Sequence, residues 1–355
     1  MNGDEAKRLG EKLLAEVQVK DLSSVLKSLR VAIAESNTSA ADGTTRPTFH
    51  FNIAELDALI PGSKPPILEL VSPPLTHDAS GSGKTSLLYL IIATAILPRT
   101  MSCIQLDGHE SAVILFDPLH HFSVVRLAEV TLHVVMTKLQ AASVGIDSTT
   151  KQQMREVVKT ALSHVHIFHP PSWPLFLATL RSLPDYLFDA TKHHSTHRRI
   201  HSIILEDVDA FVPEIRSSAP ASSFSSSTSS SSANALSPAS STLAFHLTKL
   251  SSLLSSAVIT TSHSTSPLYY RPALPTSWPR DTLVTRLALR RVPVAKFAPG
   301  ISNEEAEAER EKRWEVVSRA RFECWKVGMG VGGQGSGGFV FRIGRHVETE
   351  RKMDI

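Results

Sequence analysis

The chain has 355 residues, of which 42% are hydrophobic and 20% are charged, so it is long and apolar enough to bury a substantial core. Its formal net charge of +3 permits a polyanionic partner but excludes nucleic-acid binding driven by a strongly basic tail. The two cysteines, Cys103 and Cys324, form no CxxC pair, which predicts a reducing compartment and excludes a disulfide framework or a cysteine-based zinc site.

Residues 1–50 are predicted to form a helical segment followed by a linker. Apolar residues recur at three- and four-residue steps between residues 4 and 34, which is the period of an amphipathic helix. Residues 35–50 are rich in Ser, Thr and Ala and are typical of a linker. The charged start, MNGDEAKRLGEK, lacks an apolar run, so we expect no secretory signal.

Between residues 51 and 345, short apolar runs alternate with helical stretches. This alternation predicts an α/β domain whose central sheet is mostly parallel and flanked by helices. The predicted parallel strands are Ile67–Val71, Val113–Asp117, Val165–His169, Ile203–Asp207 and Ala257–Thr261. The predicted helices are Lys84–Leu97, Ser123–Ala142, Gln152–Ser163, Ser172–Leu183 (which Pro184 should end) and Leu243–Ser255. The longest apolar run, Leu87–Leu97, is too short to span a membrane.

Two further features complete the predicted domain. Leu283–Arg290, Arg321–Lys326 and Phe339–Ile343 follow one another with only the charged helix Asn303–Val317 between them, so we expect antiparallel strands at one edge. Residues 346–355 are predicted to be a C-terminal tail. Residues 216–242 are dominated by serine and offer little apolar area to offset their ordering entropy, which predicts a disordered insertion within the domain.

A phosphate-binding loop is indicated by the segment GSGKTS, which lies between a predicted strand and a predicted helix. Its glycines let the backbone turn N–H groups toward a phosphate, and the helix N-terminus favours negative charge. Lys84 would reach the β- and γ-phosphates of ATP, and Thr85 would bind Mg²⁺. The predicted nucleotide-binding residues of the loop are Gly81, Ser82, Gly83, Lys84, Thr85 and Ser86.

Two features around this loop modify the prediction. Asp78 stands where the GxxxxGKT pattern has its first glycine, and a carboxylate there would repel bound phosphates. The strand IILED ends in Glu206 and Asp207, and either carboxylate could serve the Mg²⁺ site, with Glu206 the candidate metal ligand beside Thr85. The alternative is that these residues are an ordinary strand end and a glycine-serine helix cap.

The order of these motifs resembles the eukaryotic RecA-like recombinase paralogues. The matching segments are ILEL at 67–70, GSGKTSLLYLIIATAILP at 81–98, VILFDPLHHFSVVRL at 113–127 and SIILEDVDAF at 202–211. The resemblance implies a RecA-like core that binds ATP and Mg²⁺. It also implies an accessory subunit that supports recombinase filaments during homologous-recombination repair of DNA double-strand breaks in the nucleus. Its implied partners are other paralogues, notably the D-type one, and single-stranded or branched DNA.

The resemblance also shows departures that point to weak ATP hydrolysis. The family's catalytic carboxylate after the second strand falls on Leu119, and its phosphate-sensing glutamine falls on Ser262. A general base contributes typically about 10²- to 10⁴-fold to a rate. We therefore assign no catalytic residue, and any DNA-dependent ATPase activity is expected to be weak.

DNA contact is expected from the loop after the fifth strand. Its aromatic and basic residues could stack on bases and contact phosphates, although they could equally pack on the domain; they are Tyr269, Tyr270, Arg271, Trp278 and Arg280. Two other functions remain open, namely a P-loop ATPase or kinase of another class and a scaffold with a vestigial nucleotide site. The histidine clusters at 120–121, 164–169 and 193–197 contain no cysteine and do not indicate zinc.

Overall fold

A computed structural model describes most of the chain from residue 49 onward. The described residues are 49–60, 62, 64–74, 76, 81–218, 231–280, 282–292, 300, 302–318, 320–328 and 337–351. The predicted N-terminal helix, most of the linker and Asp78 lie outside these residues. Among the described helices, none combines the length and the apolar character that crossing a bilayer requires.

The secondary structure of the described residues alternates strands with helices over most of its length. The strands are β1 (Ile67–Ser72), β2 (Thr100–Met101), β3 (Ile104–Gln105), β4 (Ala112–Phe116), β5 (Val165–Phe168), β6 (Ile200–Leu205), β7 (Ala257–His263), β8 (Val284–Arg291), β9 (Arg321–Lys326), β10 (Gly338–Ile343) and β11 (Val347–Arg351). The helices are α1 (Ala54–Asp57), α2 (Lys84–Ile96), α3 (Val124–Ala141), α4 (Ser148–Leu162), α5 (Trp173–Phe188), α6 (Val212–Ser217), α7 (Ser231–Leu254) and α8 (Asn303–Ser318). A 3₁₀ helix covers Val208–Phe211.

One large sheet organises these elements, in the strand order β11-β10-β9-β8-β1-β7-β6-β4-β5. The strands from β8 to β5 in this order run parallel, and β9, β10 and β11 extend the sheet by antiparallel pairing. The short strands β2 and β3 pair separately. The predicted α/β class, with a mostly parallel sheet and antiparallel strands at one edge, is confirmed.

Both faces of the central parallel strands β1, β4, β6 and β7 are buried, which explains their continuous apolar runs. Along β4, Val113 and Leu115 belong to the core that includes α2, α3 and α4. The alternating residues Ile114 and Phe116 belong to the opposite core, which includes α5, α6 and α7. Successive side chains of a strand point to opposite faces, so the sheet lies between two helical layers.

The prediction of a disordered insertion at residues 216–242 is wrong at both ends, because Arg216 and Ser217 belong to α6 and residues 231–242 belong to α7. Helix α7 begins at Ser231, and within it Leu236, Ala239 and Ser240 are buried. The Ser240 hydroxyl accepts a hydrogen bond from the backbone N–H of Thr276 at 2.7 Å. Serine-rich composition concealed a few small and apolar residues at helical spacing, which suffice to cover one face of the core. Residues 219–230 lie outside the described residues.

Two other elements extend beyond their predicted limits. Helix α5 continues through Pro184 to Phe188 because Leu183 and Leu187 keep its buried face continuous, which outweighs the single N–H that proline lacks. Residues 347–351, predicted to belong to a tail, form β11 and pair with β10. Backbone pairing and the buried side chain of Val347 hold this otherwise charged segment in the sheet.

Substitution of Leu236 by alanine tests whether the serine-rich part of α7 is structural. Leu236 is 4% exposed, so we expect Leu236→Ala to lower the free energy of unfolding by about 2 to 5 kcal/mol. Chemical denaturation provides the measurement. The exposed neighbour Ser237, changed to alanine, is the matched control and should leave stability within about 0.5 kcal/mol of wild type. Equal stabilities of the two variants would contradict the packing of this segment.

Candidate nucleotide-binding site

The carboxyl ends of the parallel strands meet at one edge of the sheet. Ser72 at the end of β1 pairs with His263 at the end of β7, and Phe116 of β4 pairs with Leu205 of β6. In open α/β sheets, ligands bind in the crevice outside these strand ends. The residues that end or follow the strands here are polar, namely Ser72, Asp117, Glu206, Asp207 and His263.

Helix α2 begins at this edge with a backbone suited to an anion. Gly83, its N-cap residue, has a φ of 81°, in the left-handed region that favours glycine. A Cβ at this position would lie 2.9 Å from the ring of Phe341, so a larger residue is also excluded by space. Gly83 has no side chain with which to cap the helix, and the N–H groups at a helix start are groups that can bind a phosphate. Gly81 is exposed, and Ser82 and Ser86 are half-buried.

Lys84 lies at the centre of the site and is 6% exposed. Its Nζ donates hydrogen bonds to Ser72 Oγ at 2.8 Å and to the carbonyl oxygen of Ser262 at 3.1 Å. The same nitrogen lies 4.0 Å from Asp207 Oδ1. Burial lowers the pKa of Lys84, and the neighbouring carboxylates, Asp207 foremost, oppose that shift. The ammonium is therefore held where the strand ends meet the start of α2.

Thr85 and Glu206 join the start of α2 to the end of β6. Thr85 Oγ1 donates a hydrogen bond of 2.5 Å to Glu206 Oε1. Glu206 is 1% exposed, and burial raises its pKa to about 7 although the hydrogen bond from Thr85 opposes the shift. The second oxygen, Oε2, is buried without a hydrogen-bond partner among the described residues. A hydroxyl beside an unpartnered carboxylate oxygen is a donor set that fits a hard divalent cation.

Asp207 faces the same space from a strained backbone. Its φ of 45° places a non-glycine residue in the left-handed region, and its N–H donates to Thr261 Oγ1 at 2.8 Å. Its Oδ2 lies 3.2 Å from Nδ1 of His121. The two candidate acids thus have different partners, because Glu206 contacts Thr85 whereas Asp207 lies beside Lys84 and His121.

The structure adds a histidine and an aspartate that sequence reasoning did not assign. His263 donates its backbone N–H to Asp209 Oδ2 at 3.0 Å, and its Nδ1 lies 3.0 Å from the same oxygen. Burial alone would raise the pKa of Asp209, but these hydrogen bonds outweigh it and the pKa is lowered. His263 Nε2 lies 3.5 Å from Lys84 Nζ. The alternation of side chains along a strand could have predicted this role for His263. Ser262 presents its backbone carbonyl to Lys84, and the next residue, His263, presents its side chain.

The segment after β4 presents no carboxylate in the position that the resemblance implied. Leu119 is 46% exposed and brings only a hydrocarbon side chain. Asp117 is 1% exposed, and its two oxygens accept hydrogen bonds from the backbone N–H groups of His121 and Phe122, each at 3.0 Å. Asp117 therefore fixes the turn after β4, and both of its oxygens are already engaged.

The five candidate DNA-binding residues are divided by the structure into two groups. Tyr270 is 7% exposed and packs edge-on against Trp325, with ring centroids 5.2 Å apart. Trp278 donates from Nε1 to Glu69 Oε1 at 2.7 Å. Stacking on a base would require Tyr270 to leave the interior, and Trp278 is half-buried and held at its N–H. The side chains left exposed for a nucleic acid are those of Tyr269, Arg271 and Arg280.

Asp207, Asp209 and His263 also have the composition of a metal site, with ligand atoms within 4.8 Å of one another. Lys84 Nζ, however, lies 4.0 Å from Asp207 Oδ1 and 3.5 Å from His263 Nε2. A cation already faces these groups, and a second one would be repelled. We therefore assign the trio to the support of Lys84.

No protein-family model matches the chain, and no curated protein sequence matches it either.

The stability of the metal-free protein should depend on pH through Glu206. An unfolded glutamate has a pKa near 4.5, whereas burial raises the folded value to about 7. Between these values the folded state holds a proton that the unfolded state has released, so stability falls as pH rises. The difference corresponds to about 3 kcal/mol. Wild type should lose up to this amount of unfolding free energy between pH 4.5 and pH 7. Glu206→Gln, which has no carboxyl group at this position, should not show this loss.

Chemical denaturation at a series of pH values, in the presence of a chelator, measures this dependence. Added Mg²⁺ should reduce the loss in wild type, because the cation favours the ionised carboxylate, and should not affect Glu206→Gln. Parallel pH profiles for the two proteins would show that Glu206 is not buried as described.

Proposed function

We propose that the chain is a RecA-like P-loop protein that binds ATP with Mg²⁺ and serves as an accessory recombinase paralogue in DNA repair. The observation that carries the proposed nucleotide site is that Lys84, Thr85 and Glu206 lie together at the start of α2. An ammonium, a hydroxyl and a carboxylate in this arrangement match the needs of a phosphate chain and its metal ion.

The residues around Glu206 fit a magnesium ion. Thr85 Oγ1 and Glu206 Oε2 are oxygen donors, and the latter has no partner among the described residues. Bound Mg²⁺ would neutralise negative charge on the β- and γ-phosphates of ATP. Thr85 and Glu206 would hold the ion, and Asp207 would stay with Lys84.

The position of β7 supports a RecA-like core. This strand lies between β1, which leads to the phosphate loop, and β6, which carries the acids. Its end therefore reaches the phosphate site, where His263 Nε2 lies 3.5 Å from Lys84 Nζ. The resemblance places a phosphate-sensing residue after the same strand. In this chain that position is Ser262, and the side chain that reaches the site is the imidazole of the next residue, His263, oriented by Asp209.

The same geometry favours binding over hydrolysis. Leu119 cannot accept a proton from water, and both oxygens of Asp117 are engaged by backbone N–H groups. His121 is 60% exposed and its Nδ1 faces Asp207, so it is not buried beside the phosphate site. A nucleotide held without a base would act mainly as a structural ligand.

An assembly role follows from weak hydrolysis together with the motif resemblance. The proposed partners are other RecA-like paralogues, the D-type one among them, in a nuclear hetero-oligomer on single-stranded or branched DNA. Tyr269, Arg271 and Arg280 are the exposed candidates for DNA contact. Co-purification from the native cell tests this role, and a chain that is recovered without other RecA-like subunits would contradict it.

A second candidate function, a scaffold with a vestigial site, is favoured by one observation. Lys84 already has Ser72, Ser262 and Asp207 as partners within the chain. Its charge therefore does not require a phosphate. Nucleotide binding separates the two functions, because a scaffold would show none.

The ATP-binding proposal predicts a specific effect of Lys84. Calorimetry in Mg²⁺ should show ATP binding to wild type and binding at least about 10-fold weaker to Lys84→Ala, since a charge-assisted hydrogen bond contributes about 1.5 to 3 kcal/mol. Lys159, an exposed lysine on α4, is the matched control, and Lys159→Ala should bind like wild type. Equal affinities in all three proteins, or no binding to wild type, would contradict the proposal.

Steady-state hydrolysis tests the missing base. We expect wild-type turnover, alone and with single-stranded DNA, to lie at least about 100-fold below the roughly 10 s⁻¹ that is typical of enzymes. Leu119→Glu places a carboxylate after β4 and should raise the turnover, whereas the uncharged Leu119→Gln should not. A robust DNA-stimulated turnover of wild type that disappears in Lys84→Ala would contradict weak hydrolysis.

A further inference from the structure

A second group of side chains with metal-ligand chemistry, distinct from the residues of the candidate nucleotide site, lies between α3 and the turn that joins β10 to β11. His133 comes from α3, His346 from the turn and Glu348 from β11. One ligand atom from each residue lies within 4.8 Å of the others. The two imidazole rings are stacked, with centroids 3.7 Å apart and planes 10° apart, and His346 Nε2 lies 2.8 Å from Glu348 Oε1.

The turn that carries His346 is held against α3 by hydrogen bonds from Arg126, which is not one of the three residues. Arg126, seven residues before His133 and on the same face of α3, donates from Nη1 to the carbonyl oxygen of Arg345 at 2.9 Å. Its Nη2 donates to the carbonyl oxygen of Gly344 at 2.5 Å. The turn is therefore fixed on α3 before any ion binds, and the remaining adjustment is in side-chain rotamers.

We propose that His133, His346 and Glu348 form a site for a divalent transition-metal ion of the Zn²⁺ class. Two imidazole nitrogens and one carboxylate oxygen are a ligand set that Zn²⁺ takes in proteins, with water in the fourth position. The ion replaces the hydrogen bond between His346 and Glu348 and joins both residues to α3.

The chemistry of the donors separates this site from the one at Glu206. Imidazole nitrogen suits Zn²⁺, Cu²⁺ and Ni²⁺, whereas hydroxyl and carboxylate oxygens suit Mg²⁺. No ammonium group is recorded among the contacts of the described residues His133, His346 and Glu348, unlike the trio beside Lys84. All three ligands are half-buried or exposed, so a metal ion can enter from solvent. The role that follows is a second attachment of the β10–β11 hairpin to α3, in addition to the hydrogen bonds of Arg126.

Calorimetric titration of the full chain with Zn²⁺, after removal of metals and in saturating Mg²⁺, tests this site. Mg²⁺ occupies oxygen donors and does not compete for imidazole. We expect one Zn²⁺ per chain in wild type. His133→Ala, His346→Ala and Glu348→Gln should each weaken binding by more than about 10-fold, which even loss of an outer-sphere partner can cause. His194, exposed and distant in the sequence, gives the control His194→Ala, which should bind like wild type.

A thermal melt gives a second measurement, and the melt without metal shows whether each variant is folded. Zn²⁺ that binds only the folded state raises the melting temperature of wild type and should raise that of His194→Ala equally, but not that of Glu348→Gln. Absence of Zn²⁺ binding by wild type overturns the site, as does undiminished binding by the three ligand variants. Neither result depends on whether the chain binds ATP.

Discussion

The buried ammonium of Lys84 sets the main constraint on the functional end of the molecule. A charge removed from water is costly unless other groups surround it. Lys84 obtains its partners from the ends of different strands, namely Ser72 of β1, Ser262 of β7 and Asp207 after β6. These strands must therefore end at one level. The two helical layers that bury the faces of the sheet hold the strands in this alignment. Packing in the core therefore determines the geometry of the site around Lys84.

The hydrogen bonds of the site satisfy Lys84 but leave one oxygen of Glu206 without a partner among the described residues. Lys84 has oxygen partners within the chain, whereas Glu206 retains a buried oxygen without one among the described residues. A nucleotide alone would have to draw Lys84 from these contacts, but a metal ion would satisfy an existing deficit. In the proposed function, the metal ion and the phosphate are therefore expected to bind together. The metal ion satisfies Glu206, and the phosphate replaces the oxygen partners that Lys84 gives up.

The sequence predicted the parts of this structure that depend on local patterns. Continuous apolar runs located the parallel strands, and GSGKTS located Lys84 and Thr85 at a strand-to-helix junction. It could not predict which distant residues the sheet brings together. The contact between His263 and Asp209 depends on strand order, and that between His133 and His346 joins residues 213 positions apart. Composition also failed in α7, where a few buried residues outweigh many serines.

The antiparallel edge of the sheet packs against Gly83 in the candidate phosphate loop. Phe341 of β10 and Phe322 of β9 are stacked, with centroids 5.5 Å apart, and a Cβ on Gly83 would meet both rings at about 3 Å. The edge strands therefore form the wall against which the left-handed turn before α2 is packed. Arg126 anchors the far end of β10 to α3. A displacement of β9 and β10 would open space beside Gly83 and change the direction of the N–H groups at the start of α2, which a bound phosphate would require. The strands that the sequence predicted only as the edge of the sheet therefore form part of the wall of the candidate site.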